Sequence, residues 1–202
     1  MDEGIVFRTL IVLTFFVFVG VMLPHRLRAK KAGDQTGDKL DRRKEGIVIL
    51  LSIRLSGLVM LIGLVAYLIN PDWMAWSNLA LPTWVRWIAA GFSLIVLPPL
   101  VYWAAHTIGT NITDTVDIRK QHQLVTGGPY RYLRHPLYTT WTLLFISMSM
   151  IADSWFLLLG SVVWFAFILM RLPREEAMLI ERFGDDYRDY MKRTPRFVPG
   201  LF

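Results

Sequence analysis

Five long apolar stretches constrain this chain more than anything else in it. They cover residues 5–23, 47–69, 84–105, 136–152 and 154–170. A helix needs about 20 apolar residues to cross a bilayer core of about 30 Å. In lipid, all backbone N–H and C=O groups must pair within the spanning structure, so stretches of this length read as helices. Only Asp153 separates the last two, which predicts a tight antiparallel hairpin. Composition agrees: 54% of the 202 residues are hydrophobic and only 19% are charged, with a mean hydropathy of +0.41. Those values exclude an ordinary soluble domain and a disordered chain. With no cysteine, a disulfide scaffold, a cysteine zinc site and a thiol nucleophile are excluded too. The sequence therefore predicts an all-α integral membrane protein, multi-pass, with five transmembrane helices, a polar loop between the third and fourth, and a C-terminal amphipathic helix. The acidic start Met1-Asp2-Glu3 argues against reading the first stretch as a cleavable signal peptide.

The positive charges orient these helices. Segments 25–45, 106–134 and 171–202 hold nineteen of the 22 Lys and Arg, whereas 70–83 and the Asp153 turn hold none. Basic segments face the cytosol, which puts the N-terminus outside and the C-terminus in the cytosol. The membrane would be the cell membrane of a prokaryote or the endoplasmic reticulum of a eukaryote. The net charge of +6 then reflects an anionic membrane face rather than a nucleic acid. Trp73, Trp76, Trp84 and Trp87 form an aromatic belt at the outer boundary. Arg54 lies inside the second stretch; it either snorkels to the cytosolic headgroups or serves an intramembrane function. Pro98-Pro99 predicts a kink in the third helix, with a crevice beside it.

The polar residues with unusual spacing are concentrated in the second half. The loop runs His122-Gln123-Leu124-Val125-Thr126-Gly127-Gly128-Pro129-Tyr130, then Arg134-His135-Pro136-Leu137-Tyr138. Leu124–Thr126 is a short extended candidate. The two glycines and Pro129 force a turn that allows close approach to the backbone. Pro136 suits the first turn of a helix, with His135 at its start. After Arg171 and Glu175-Glu176, the residues Leu179, Ile180, Phe183, Tyr187, Tyr190 and Met191 recur at helical spacing, an amphipathic helix beginning just past the last span. Acidic residues at such a start favour the helix dipole. Their carboxylates also suit a ribose diol or an ammonium group. Polar groups gathered on one side, with no internal repeat, contrast with the midplane sites and related halves of a transporter.

Taken together, His122-x-Leu-Val-Thr-x-Gly-x-Tyr130, Arg134-His135-Pro136-x-Tyr138, an apolar hairpin over 136–170 and Glu175-Glu176-x-x-Leu-x-x-x-Phe-Gly184-x-x-Tyr187-x-x-Tyr190 resemble the isoprenylcysteine carboxyl methyltransferase family. The likeness covers residues 106–202, which it marks as a cofactor-binding half; residues 1–105 match only as three apolar helices. The short chain resembles five-span prokaryotic members. The resemblance implies S-adenosyl-L-methionine as cofactor, with S-adenosyl-L-homocysteine as product. It assigns the cofactor to His122, Gln123, Leu124, Val125, Tyr130, His135, Pro136, Leu137, Tyr138 and Glu175. It places Arg171 beside the carboxylate of a prenylated or otherwise lipidic acceptor from the membrane, so that Arg171 and Glu175 carry the catalytic roles. No metal and no nucleic acid is implied.

The residue chemistry is compatible with that assignment. A carboxylate acceptor is ionised at neutral pH and needs orientation by a cation rather than a base. Tyrosine faces attract a sulfonium. A phospholipid N-methyltransferase is the alternative; its amine must lose a proton, for which Glu176 or His122 would be the base. A membrane reductase using NADPH lacks a basic cluster suited to the 2′-phosphate here, and a transporter or scaffold predicts no cofactor affinity.

Overall fold

The computed structural model describes residues 3–36, 46–112 and 123–197. Its regular structure is helical: α1 (Glu3–Thr36), α2 (Ile47–Ile69), α3 (Thr83–Gly91), α4 (Leu97–Ile108), α5 (Pro136–Ile151), α6 (Trp155–Phe183) and α7 (Asp185–Arg193), with short 3₁₀ turns between some of them. Among the described residues, four helical stretches are long and apolar enough to cross a membrane: Glu3–Ala32, Ile47–Ile69, Thr83–Asn111 and Trp155–Phe183.

The fourth expected span differs. α5 has 16 residues, about 24 Å at 1.5 Å per residue, which is short of the hydrocarbon thickness. Its Thr140, Leu144, Ser147, Met148, Ser149 and Ile151 are buried, so packing against protein replaces length in lipid. The hairpin itself is as the sequence predicts. Asp153 turns with φ +55°, and Ser149 and Ser161 bring their hydroxyls within 3.2 Å across the two helices. The 3₁₀ segment Pro71–Ser77 and the chain after it close the turn from outside. There Leu79 N–H donates to Asp153 O (3.1 Å), Leu81 N–H to Asp153 Oδ1 (3.0 Å), and the Ser77 and Ser154 hydroxyls pair at 2.7 Å.

Three other elements run differently from the sequence reading. α1 continues past Pro24 to Thr36, so Arg26, Arg28, Lys30 and Lys31 lie on helix, while Lys39, Arg42, Arg43 and Lys44 fall outside the described residues. Between α3 and α4 the chain makes a π-helical turn, Phe92–Val96, closed by Leu97 N–H to Phe92 O. Pro98 and Pro99 lack N–H donors, and the wider turn just before them absorbs the break, so α3 and α4 form one long stretch. Ser93, in that turn, pairs with Thr14 of α1 at 3.0 Å. Finally, α6 does not end at the membrane boundary. It runs through Pro173 to Phe183 and stops at Gly184, φ +60°, a conformation glycine adopts readily. Glu175 and Glu176 are therefore mid-helix rather than at a helix start, where no N-terminal dipole acts on them.

Close packing organises the bundle. A Cβ on Gly63 would meet Phe156 at 2.9 Å and one on Gly160 would meet Met60 at 2.7 Å, so these glycines let α2 and α6 approach, as small residues do in membrane helix pairs. A second core joins Phe7, Ile11, Phe18 and Met22 of α1 to Leu97 and Val101 of α4 and to Leu144 and Met148 of α5. Leu51, Leu55, Leu58 and Ile62 of α2 point outward, as a lipid face requires. The four belt tryptophans are all exposed, gathered at one end of the bundle.

Candidate active site

The turn ahead of α5 is built by its own sequence. Gly128 adopts φ +56°. A Cβ there would lie 2.7 Å from Thr107 Oγ1 of α4, so what the glycine admits is a neighbouring side chain. Asn111 Nδ2 donates to Gln123 O (2.9 Å), which ties the returning loop to the end of α4. Leu124–Thr126 has no regular structure and joins no sheet. On the other side, Tyr190 Oη of α7 donates to Tyr130 O. Arg134 N–H and His135 N–H donate to Pro195 O (2.8 Å) and Arg196 O (3.1 Å). The C-terminal segment thus holds the start of α5, where Pro136 occupies the first helical turn and His135 precedes it.

The adjacent carboxylates of α6 divide their work. Glu176 points into protein. It meets Arg134 Nη2 at 3.1 Å and His135 Nε2 at 3.4 Å, and Arg196 Nε donates to both its oxygens at 3.2 Å. Only 4% of its side chain is exposed. Glu175 turns the other way. Tyr138 Oη donates to its Oε2 (2.7 Å), and Arg171 Nε lies 3.7 Å from the same oxygen. His135 Nδ1 is 3.8 Å from Oε1, and the His135 and Tyr138 rings stack at 5.7 Å. The Arg171 guanidinium lies 5.9 Å from the centre of the Tyr138 ring.

Glu175 faces a cavity of about 580 Å³ at the end of the bundle that carries the basic segments. Gln123, Leu124, Val125, Tyr130, His135, Leu137, Tyr138, Arg171 and Glu175 all line it. Of the remaining candidates, Pro136 is buried but is not in the wall, and His122 lies outside the described residues. Residues to which the motifs assign no role also line it: Met22 and Arg26 of α1, Leu50, Ile53, Arg54 and Gly57 of α2, and Trp141, Trp164, Tyr187 and Tyr190. The α2 stripe at positions 50, 53, 54 and 57 follows helical spacing, a signal hidden in a helix that is apolar all round. Pro98 and Pro99, beside which the sequence predicts a crevice, do not line this cavity.

Two wall hydroxyls, Tyr130 Oη and Tyr187 Oη, are buried with no hydrogen-bond partner among the described residues. Burial pushes the hydroxyls of Tyr130 and Tyr190 well above their ordinary range. Burial, and then the Glu176 charge, does the same to Tyr187. All three stay protonated at neutral pH, and two of them are donors in search of an acceptor. Among the described residues, no group of three or more His, Asp or Glu could hold a metal.

A family model described as phospholipid methyltransferase matches residues 85–186, half of the chain. The protein-S-isoprenylcysteine O-methyltransferase of Dictyostelium discoideum is 31% identical over 134 residues, 64% of this chain and 56% of that protein. Its namesake from Schizosaccharomyces pombe is 38% identical over 81 residues, 40% of this chain and 34% of that protein. The chain thus spans about half the length, or less, of these curated relatives. The solved structure of the eukaryotic intramembrane Ras methyltransferase ICMT, an isoprenylcysteine carboxyl methyltransferase, superposes with a TM-score of 0.55 at 21% identity, covering 94% of this chain and 68% of that one. The shared fold is that of a helical membrane methyltransferase, and by the match over residues 85–186 the chain belongs to the phospholipid methyltransferase family, with its curated likeness to the isoprenylcysteine O-methyltransferases.

Proposed function

We propose that this protein is an S-adenosyl-L-methionine-dependent methyltransferase that esterifies the carboxylate of an isoprenylcysteine or a similar lipidic acceptor. The observation that carries the reading is the convergence of the separated motifs on one cavity: the loop from Gln123, the His135–Tyr138 turn and the Arg171–Glu175 pair all line it. The relatives' names point to the same chemistry.

The wall fits the donor. Tyr130 and Tyr187 offer buried hydroxyls in need of acceptors. Glu175 offers a carboxylate for ribose hydroxyls, and the Tyr138 and His135 faces suit an adenine or a sulfonium. Gln123, Leu124, Val125 and Leu137 complete the enclosure, with Pro136 setting the turn behind them. When bound, S-adenosyl-L-methionine supplies a methyl group already activated by a sulfonium. The chain's own task is then positioning: it holds donor and acceptor in line and excludes water. Arg171, at the end of the apolar part of α6, orients the acceptor carboxylate, and no proton has to be moved. The cavity end faces the cytosol, where the donor is supplied.

The family name also suggests an amine acceptor. An amine must shed a proton, yet Glu176 is occupied by Arg134, Arg196 and His135 and is absent from the wall. Glu175 is held by Tyr138, and His122, the other candidate base, lies outside the described residues. This favours the carboxylate. The test incubates isolated membranes with isotope-labelled S-adenosyl-L-methionine and either S-farnesylcysteine derivatives or phosphatidylethanolamine. The proposal expects base-labile label in the farnesylcysteine product. Base-stable label in the phospholipid alone would replace it with the N-methyltransferase reading.

A further inference from the structure

Arg54 is the one charged residue of α2. A guanidinium inside an apolar span is costly unless something answers its charge. Among the described residues it forms no hydrogen bond or ion pair, and it lines the larger cavity. With Leu50, Ile53 and Gly57 it makes one face of the helix. That face continues one turn further into a second cavity of about 230 Å³, through Gly57, Met60 and Leu64. Gly57, Trp141 and Phe145 belong to both cavities, so they form the neck between them. A Cβ added to Gly57 would meet nothing within 4 Å: the neck is open on that side. The smaller cavity is apolar apart from Ser149, whose hydroxyl is already donated to Phe145 O at 2.7 Å.

We propose that Arg54 engages the anionic group of the acceptor, and that the acceptor's apolar tail runs past Gly57 into the smaller cavity. The site then selects a single-tailed anionic amphiphile, with Arg54 on the α2 wall and Arg171 on the α6 wall. This deepens the methyltransferase reading and rests on it for the identity of the reacting group. The methyl donor also carries a carboxylate, but it has no tail for the smaller cavity. An amphiphile accounts for both features of the α2 face at once, the cavity-lining cation and the apolar continuation one turn deeper.

The test uses the full chain in nanodiscs. A fluorescent fatty acid, its alcohol analogue and S-adenosyl-L-homocysteine are each titrated into wild type, Arg54→Gln, Arg54→Lys and Gly57→Leu, with melting curves to establish folding. Wild type should prefer the acid to the alcohol, and Arg54→Gln should reduce acid affinity by roughly 10- to 100-fold. Alcohol and S-adenosyl-L-homocysteine affinities should change less than about 2-fold. Arg54→Lys should retain most of the preference, because the charge stays. Gly57→Leu should weaken a long-chain acid while sparing a short-chain one. Unchanged acid preference in Arg54→Gln would make Arg54 a headgroup anchor and overturn the inference. Selective loss of S-adenosyl-L-homocysteine affinity would assign it to the donor carboxylate and overturn it as well. Equal effects of Gly57→Leu on both chain lengths would refute the tail path. These readouts need no turnover: a wild type that transfers no methyl group yet passes them would fail the methyltransferase reading and keep the anion site.

Discussion

The cavity has two walls of opposite character. One comes from the loop after Gln123, the start of α5, and α6 and α7; it holds His135, Tyr138, Arg171, Glu175 and the buried tyrosines. The other comes from α1 and α2, apolar but for Arg26 and Arg54. The first wall is over-determined. Glu176 alone gathers Arg134, His135 and Arg196, and the backbone of 134–135 is paired with that of 195–196. The second wall is held by apolar packing and close-approach glycines. A donor of fixed shape suits a rigid polar wall, whereas an acceptor tail needs only shape and apolar surface. If the contrast is right, changes in the first wall should cost stability, donor binding or turnover, and changes in the second should touch acceptor selection alone.

The largest effect should come from Glu176→Ala. It leaves the largely buried Arg134, 7% exposed, without its carboxylate, and the cost should be about 3–5 kcal/mol. Thermal unfolding in detergent checks this, and a variant that melts like wild type would break the rigid-wall picture. Next comes Arg171→Ala, expected to lower turnover about 30- to 1000-fold while donor affinity changes little; initial rates and calorimetry separate the two. Arg171 and Glu175 lie 3.7 Å apart, so their substitutions should be non-additive. A double-mutant cycle that sums cleanly would show that they act separately. Gly128→Ala should cost about 1–3 kcal/mol, since the residue combines φ +56° with Thr107 at 2.7 Å from the new methyl. On the other wall, Leu50→Ala should cost less than about 1 kcal/mol and leave donor affinity as it was. Weakened donor binding there would erase the division between the walls.

That division also explains what was legible in the sequence. The motif wall announced itself because polar residues at fixed spacing, such as His135 and Tyr138 before the hairpin, stand out against apolar sequence. Nearly every described candidate lines the cavity for that reason. Arg54 is ambiguous in sequence, since a lone Arg near a span end usually snorkels, and Gly57 is silent there, since a glycine in an apolar helix carries no pattern. Glu175 and Glu176 look interchangeable in sequence; only the helix phase, with α6 running unbroken through Pro173, sends one to the cavity and the other to Arg134. The hairpin at Asp153 was readable from its single polar residue. The length of α5 was legible too, but not its surroundings, because hydropathy does not distinguish lipid from a protein interior, and Thr140 and Ser147 are buried by neighbours.

The central claim is that this cavity is a methyl-donor site in which Glu175 takes part. Calorimetric titration of the folded protein with S-adenosyl-L-homocysteine, in wild type and Glu175→Ala, tests it most directly. The account predicts saturable one-site binding by wild type, with a matching rise in melting temperature equivalent to about 2.7 kcal/mol at 100-fold excess over the dissociation constant. It predicts clearly weaker binding by Glu175→Ala at unchanged fold. Absence of binding by folded wild type would contradict the claim, and equal affinity in the variant would remove Glu175 from the site.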